Sequence, residues 1–112
     1  MISNTDDHLH NHGFLYAGTA GWQLAPAYDF NPVPTDIKPR ILTTAINLDD
    51  GTASLNLSME VAKYFELGPK EARQIAAKVK RAVASWRLEA AKLGLTLAEI
   101  NRMASAFEHK DK

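Results

Sequence analysis

Residues 69–94 read Pro69-Lys70-Glu71-Ala72-Arg73-Gln74-Ile75-Ala76-Ala77-Lys78-Val79-Lys80-Arg81-Ala82-Val83-Ala84-Ser85-Trp86-Arg87-Leu88-Glu89-Ala90-Ala91-Lys92-Leu93-Gly94. A proline suits the first helical position, where its missing N–H is no loss. A glycine suits the left-handed residue that follows a helix. Between them Ala72, Ala76, Val79, Val83, Trp86, Ala90 and Leu93 recur at alternating spacings of four and three. That is one apolar seam on a helix that packs against other helices. The pattern predicts a helix over residues 69–93 with Trp86 in the core. Arg73, Lys80 and Arg87 repeat every seven residues beside the seam and read as a solvated basic face.

Helices are predicted on both sides. Ser58 is placed to cap one that runs to Leu67 and is stopped by Gly68. Thr96 and Glu99 have the spacing of a capping box, in which each side chain satisfies the other residue's backbone N–H. Leu97, Ile100, Met103, Ala104 and Phe107 would form the buried stripe of that last helix.

The front of the chain has a different character. Four of the five prolines (Pro26, Pro32, Pro34 and Pro39) lie before residue 58. Two aromatic-rich runs, Gly13-Phe14-Leu15-Tyr16-Ala17 and Gly21-Trp22-Gln23-Leu24, flank Gly18-Thr19-Ala20 and predict a hairpin. An irregular loop follows over residues 25–40, and Asp49-Asp50-Gly51-Thr52 marks a turn. Residues 1–57 hold two bases against six acids, a net −4, while residues 58–112 hold eleven bases against seven acids, a net +4. The chain so divides into a site-bearing segment, 1–57, and a three-helix scaffold, 58–112, of one domain. The expected fold is mainly α with a small β-hairpin near the N-terminus.

Composition bounds the function. With 46% hydrophobic and 23% charged residues the chain is globular in type. Zero formal net charge argues against direct binding of nucleic acid. No apolar run is long enough to span a membrane, and the polar first residues do not resemble a signal peptide. A cytoplasmic location and no membrane partner are therefore expected. The absence of cysteine excludes disulfides, thiolate metal sites and thiol nucleophiles.

The densest polar stretch is Asn4-Thr5-Asp6-Asp7-His8-Leu9-His10-Asn11-His12-Gly13. Three readings are open on the residues alone. In phosphoryl transfer, an aspartate takes the proton of the attacking hydroxyl, an asparagine five residues later offers an oxygen to magnesium, and a second aspartate beyond a hairpin holds the same metal. Asp6, Asn11 and Asp29 have that order and spacing. Alternatively, His8, His10 and His12 alternate and would share one face of a strand, as in a metal-dependent hydrolase. In the third reading these residues merely cap turns.

The loop just quoted, continued by Phe14-Leu15, and the segment Gly21-Trp22-Gln23-Leu24-Ala25-Pro26-Ala27-Tyr28-Asp29-Phe30-Asn31-Pro32 together resemble the C-terminal domain of HipA-type serine/threonine kinases, the toxins of bacterial toxin–antitoxin pairs. The resemblance implies ATP-dependent phosphorylation of protein serine or threonine. It implies Asp6 as catalytic base, His8 as the residue ordering the catalytic loop, and Asn11 and Asp29 as magnesium ligands. ATP and Mg2+ would be cofactors; a protein substrate and an antitoxin would be partners. No glycine-rich phosphate loop precedes Asp6, so the chain reads as a truncated rear part of such a kinase, inactive and without ATP binding alone. A runner-up is a non-catalytic helical interaction or dimerisation module. The hairpin aromatics Phe14, Tyr16 and Trp22 and the helix over residues 59–65 would then be exposed and drive homo-oligomer formation.

Overall fold

The computed structural model describes residues 1–109 and is mainly α, with one two-stranded antiparallel sheet near the N-terminus. A 3-10 turn over Leu9–Asn11 leads into β1 (Phe14–Tyr16), and a second 3-10 turn, Gly18–Ala20, reverses the chain into β2 (Trp22–Leu24). The register pairs Phe14 with Leu24, Leu15 with Gln23 and Tyr16 with Trp22. Gly18 and Gly21 have φ of 62° and 73°, which only glycine adopts without steric cost and which the tight reversal needs. Two short strands are marginal by themselves. Here Tyr16 and Trp22 lie with ring centroids 5.5 Å apart, and the Ala25 N–H donates to the Gly13 carbonyl to close the base.

Residues 25–54 form the irregular loop that the prolines dictate. Asn47 Oδ1 accepts from the backbone N–H groups of Asp49 and Asp50, a side-chain-built turn. Four helices follow: α1 (Leu55–Val61), α2 (Pro69–Ala84), α3 (Trp86–Lys92) and α4 (Leu97–Phe107).

The structure corrects several boundaries. Ser54, not Ser58, caps α1: its side chain accepts from the Leu57 N–H, whereas Ser58 lies one turn inside and donates to the Ser54 carbonyl. The helix gives way to a 3-10 turn, Ala62–Phe65, which ends at Glu66 in the left-handed region, and Gly68 instead opens α2. Pro69 is the first residue of α2, and Gly94, with φ 87°, follows α3. The long predicted helix breaks at Ser85, whose hydroxyl donates to the Ala82 carbonyl. Such bonding back onto the preceding turn competes with the helical ladder. Past the break, the Trp86 ring stacks on Phe107 of α4 at 4.3 Å. The capping box of α4 is complete, with Glu99 accepting from the Thr96 N–H and Thr96 from the Glu99 N–H. The Thr96 N–H and hydroxyl, both donating to the Glu99 carboxylate, hold that carboxyl below its usual range, so its support of α4 is present at neutral pH and fades as pH falls through that depressed value.

The apolar core is small: Ala62, Ala72, Ile100 and Ala106 are its buried members. Leu97 and Leu93, both expected inside, are exposed, as are Tyr64 and Phe65. The radius of gyration is 15.8 Å, against about 13 Å for a closely packed domain of this length. An open apolar groove of about 770 Å³ runs between the N-terminal residues, α1 and α2, with Ile2, Phe30, Met59, Phe65 and Val79 among its walls.

What the core lacks in apolar mass is made up by a buried polar strip. Ser3 and Thr5 are 3% and 1% exposed. The Ser3 hydroxyl donates to the Ala106 carbonyl of α4 at 2.8 Å, and its carbonyl accepts from the Val33 N–H. The Thr5 carbonyl accepts from both the N–H and the hydroxyl of Thr43. The Thr5 Oγ1 is buried without a partner, and the backbone of Thr5 makes the tie to the loop. The two positions should respond in opposite ways. Ser3→Ala removes a made bond and should lower urea-unfolding stability by about 1 kcal/mol. Thr5→Val removes an unpaired hydroxyl at nearly constant volume and should leave stability unchanged or raise it.

Candidate functional site

The loop over residues 6–12 is built by its own turn. The His8 N–H donates to Asn11 Oδ1 at 3.1 Å, and the Asn11 N–H donates to the His8 carbonyl. Asn11 is thereby turned inward and is 7% exposed. His8 orders the loop through its backbone; its ring meets that of His10 edge-on at 5.6 Å.

Asp29 reaches the same place by another route. The hairpin carries the chain out and back, and the Tyr28 hydroxyl donates to the His10 carbonyl at 2.9 Å, fastening the returning strand to the loop. Asp29 itself has φ 58°. A left-handed aspartate is tolerated but disfavoured, and such residues concentrate at functional sites. The result is a bond across 18 residues: Asn11 Nδ2 donates to Asp29 Oδ2 at 2.6 Å. The second carboxylate oxygen accepts from Asn31 Nδ2, also at 2.6 Å. Hydrogen bonds to an ionised carboxylate are short and strong.

Asp6 stands apart from that pair. Its side chain is 68% exposed and its Oδ1 lies 3.9 Å from Lys38 Nζ, a solvated contact that contributes little to stability. The Asp6 carboxylate is thus open to solvent on a loop held at both ends. Asp7 pairs with His12, Oδ2 to Nε2 at 3.0 Å, and its carbonyl accepts from the Thr44 hydroxyl.

The histidine reading does not hold. The 3-10 turn over Leu9–Asn11 replaces the strand that would have aligned His8, His10 and His12. Among the described residues no three groups of the His, Cys, Asp and Glu types gather to hold a metal ion. The asparagine–aspartate pair offers a different donor set. Magnesium prefers hard oxygens, takes few from protein and completes its shell with water and phosphate. The Asp29 carboxylate and the second lone pair of Asn11 Oδ1 are of that type.

Asn31 is absent from the sequence-derived site, although an amide two residues after an aspartate in a proline-flanked loop is a known local partner. Lys38, Thr43 and Thr44 were also missed, because only the folded loop brings them back to residues 5–7. The loop is tied in turn to α4 by Arg102, whose Nη1 donates to Asp36 at 3.1 Å; that bond holds the Asp36 carboxyl below its usual range. No helix of the described residues is long and apolar enough to cross a membrane.

A family model described as HipA-like C-terminal domain matches residues 1–86, which include the whole loop, the hairpin, Asp29 and α2. Searches of curated proteins and of solved structures found no match.

Proposed function

This chain belongs to the HipA-like C-terminal domain family, and from that premise we propose that it is the rear catalytic part of an ATP-dependent protein serine/threonine kinase of HipA type. The observation that carries the proposal is the 2.6 Å contact between Asn11 and Asp29, two residues distant in sequence and matched in type and order to the metal-holding residues of phosphoryl transfer. Asp29 and Asn11 would hold Mg2+, which when bound neutralises charge on the phosphates. Asp6 would accept the proton of the substrate serine or threonine hydroxyl as its oxygen attacks the γ-phosphorus and the bond to the bridging oxygen breaks. His8 keeps Asn11 in place. A protein substrate and an antitoxin are the partners that this family context favours.

The test uses labelled ATP, magnesium and a serine-containing protein acceptor, with the chain both alone and joined to a nucleotide-binding lobe of its family. Because positioning of the nucleotide supplies much of this catalysis, the joined form should transfer label and the chain alone should not. Asp6→Asn should lower transfer by at least about 100-fold, the usual contribution of a positioned proton acceptor. Transfer that survives Asp6→Asn and Asp29→Ala unchanged would remove both residues from the mechanism.

A second reading, a helical interaction module, draws support from the apolar surface. Tyr16, Trp22, Tyr64 and Phe65 are each more than 65% exposed, and large exposed apolar patches mark interfaces. Light scattering at high concentration should then give a mass above the 12.4 kDa of one chain. A mass of one chain at every concentration would count against this reading.

A further inference from the structure

Asp29 is gripped from two sides by carboxamides, and the two are not equivalent. Each donates through Nδ2 at 2.6 Å, Asn11 to Oδ2 and Asn31 to Oδ1. A carboxamide is nearly symmetric in shape, so turning it over about its last torsion exchanges N–H donors for an oxygen acceptor. Asn11 cannot turn over: its Oδ1 accepts from the His8 N–H, a group that only donates, and the residue is enclosed. Asn31 is exposed, and among the described residues its bond to Asp29 is the contact that orients its side chain.

We propose that Asn31 is a third oxygen donor to a hard divalent cation bound at Asp29, in addition to Asp29 and Asn11. The inference rests on Asp29 being a cation ligand, as proposed above. Without a cation, Asn31 donates to Asp29 and keeps the carboxylate oriented. With one, its carboxamide turns and contributes a neutral oxygen. One carboxylate and two carboxamides make a weakly charged, hard-oxygen set, suited to a cation that shares its remaining positions with water or phosphate oxygens.

Manganese(II) titrated into the full 112-residue chain tests this, read as paramagnetic broadening of the backbone amide signals of residues 29–31. Wild type should show saturable broadening that Asp29→Ala abolishes. Asn31→Ala should weaken the apparent affinity by about tenfold, the scale seen when a supporting group of a metal site is removed. Asn31→Asp separates the two possible roles, because its carboxylate can ligate but has no N–H to donate. It should bind manganese at least as tightly as wild type. Asn31→Asp as weak as Asn31→Ala would overturn the proposal, since Asn31 would then act only through its N–H. Unchanged affinity in Asn31→Ala would also overturn it, while leaving Asp29 as a ligand. Wild-type broadening that is absent, or insensitive to Asp29→Ala, would remove the cation site itself and this inference with it. Unaltered amide signals over residues 14–24 establish that each variant retains the hairpin.

Discussion

Residues 3–5 run through the molecule rather than over it, and the site depends on that burial. A segment with no secondary structure must satisfy its backbone elsewhere. Here the Ser3 and Thr5 carbonyls accept from Val33 and Thr43, two separate points of the irregular loop, and the Ser3 hydroxyl adds a bond to the C-terminal turn of α4. Three distant pieces of chain therefore converge on the residues immediately before Asp6. The loop over residues 6–12 inherits a fixed start from these bonds and a fixed end from the hairpin, and its own His8–Asn11 turn sets what lies between.

Polar anchoring of this kind explains how so thin an apolar core can position a site. Among the described residues the buried apolar ones are three alanines and one isoleucine, far too little area to hold 30 irregular residues by the hydrophobic effect alone. Directional bonds take over that task. They also give the loop a defined geometry that loose apolar packing would not, since a hydrogen bond fixes distance and angle together. Asp29 in a left-handed conformation is the local consequence: it is retained because Tyr28, Asn11 and Asn31 hold the residues around it.

Much of the molecule was legible in the residues. The hairpin and its turn follow from two glycines bracketing a short reversal. The start of α2 follows from Pro69, and the cap of α4 from the Thr96/Glu99 pair. The convergence of Asn11 with Asp29 follows from motif order, because a hairpin must bring its ends together. Other features were hidden for identifiable reasons. Ser54 and Ser58 are equivalent as caps by type, and only the closing of the loop at Ala53 onto Arg40 selects the earlier one. The apolar seam passes Ser85 without interruption, so the break that lets Trp86 stack on Phe107 leaves no trace in the periodicity. Leu93 and Leu97 obey helical spacing yet face outward, because spacing identifies a face and not whether anything covers it. The alternating histidines would share a face only on a strand, and a 3-10 turn forms there instead.

The central claim is that Asn11 and Asp29 form the cation site of a phosphoryl-transfer centre. Anomalous diffraction from crystals of the chain equilibrated with manganese(II) addresses it most directly. A single strong peak is predicted beside Asp29, at roughly 2 Å from a carboxylate oxygen as hard-cation coordination requires, with Asn11 Oδ1 in the same shell. A peak among His8, His10 and His12 instead, or none within reach of Asp29 at saturating metal, would contradict the account.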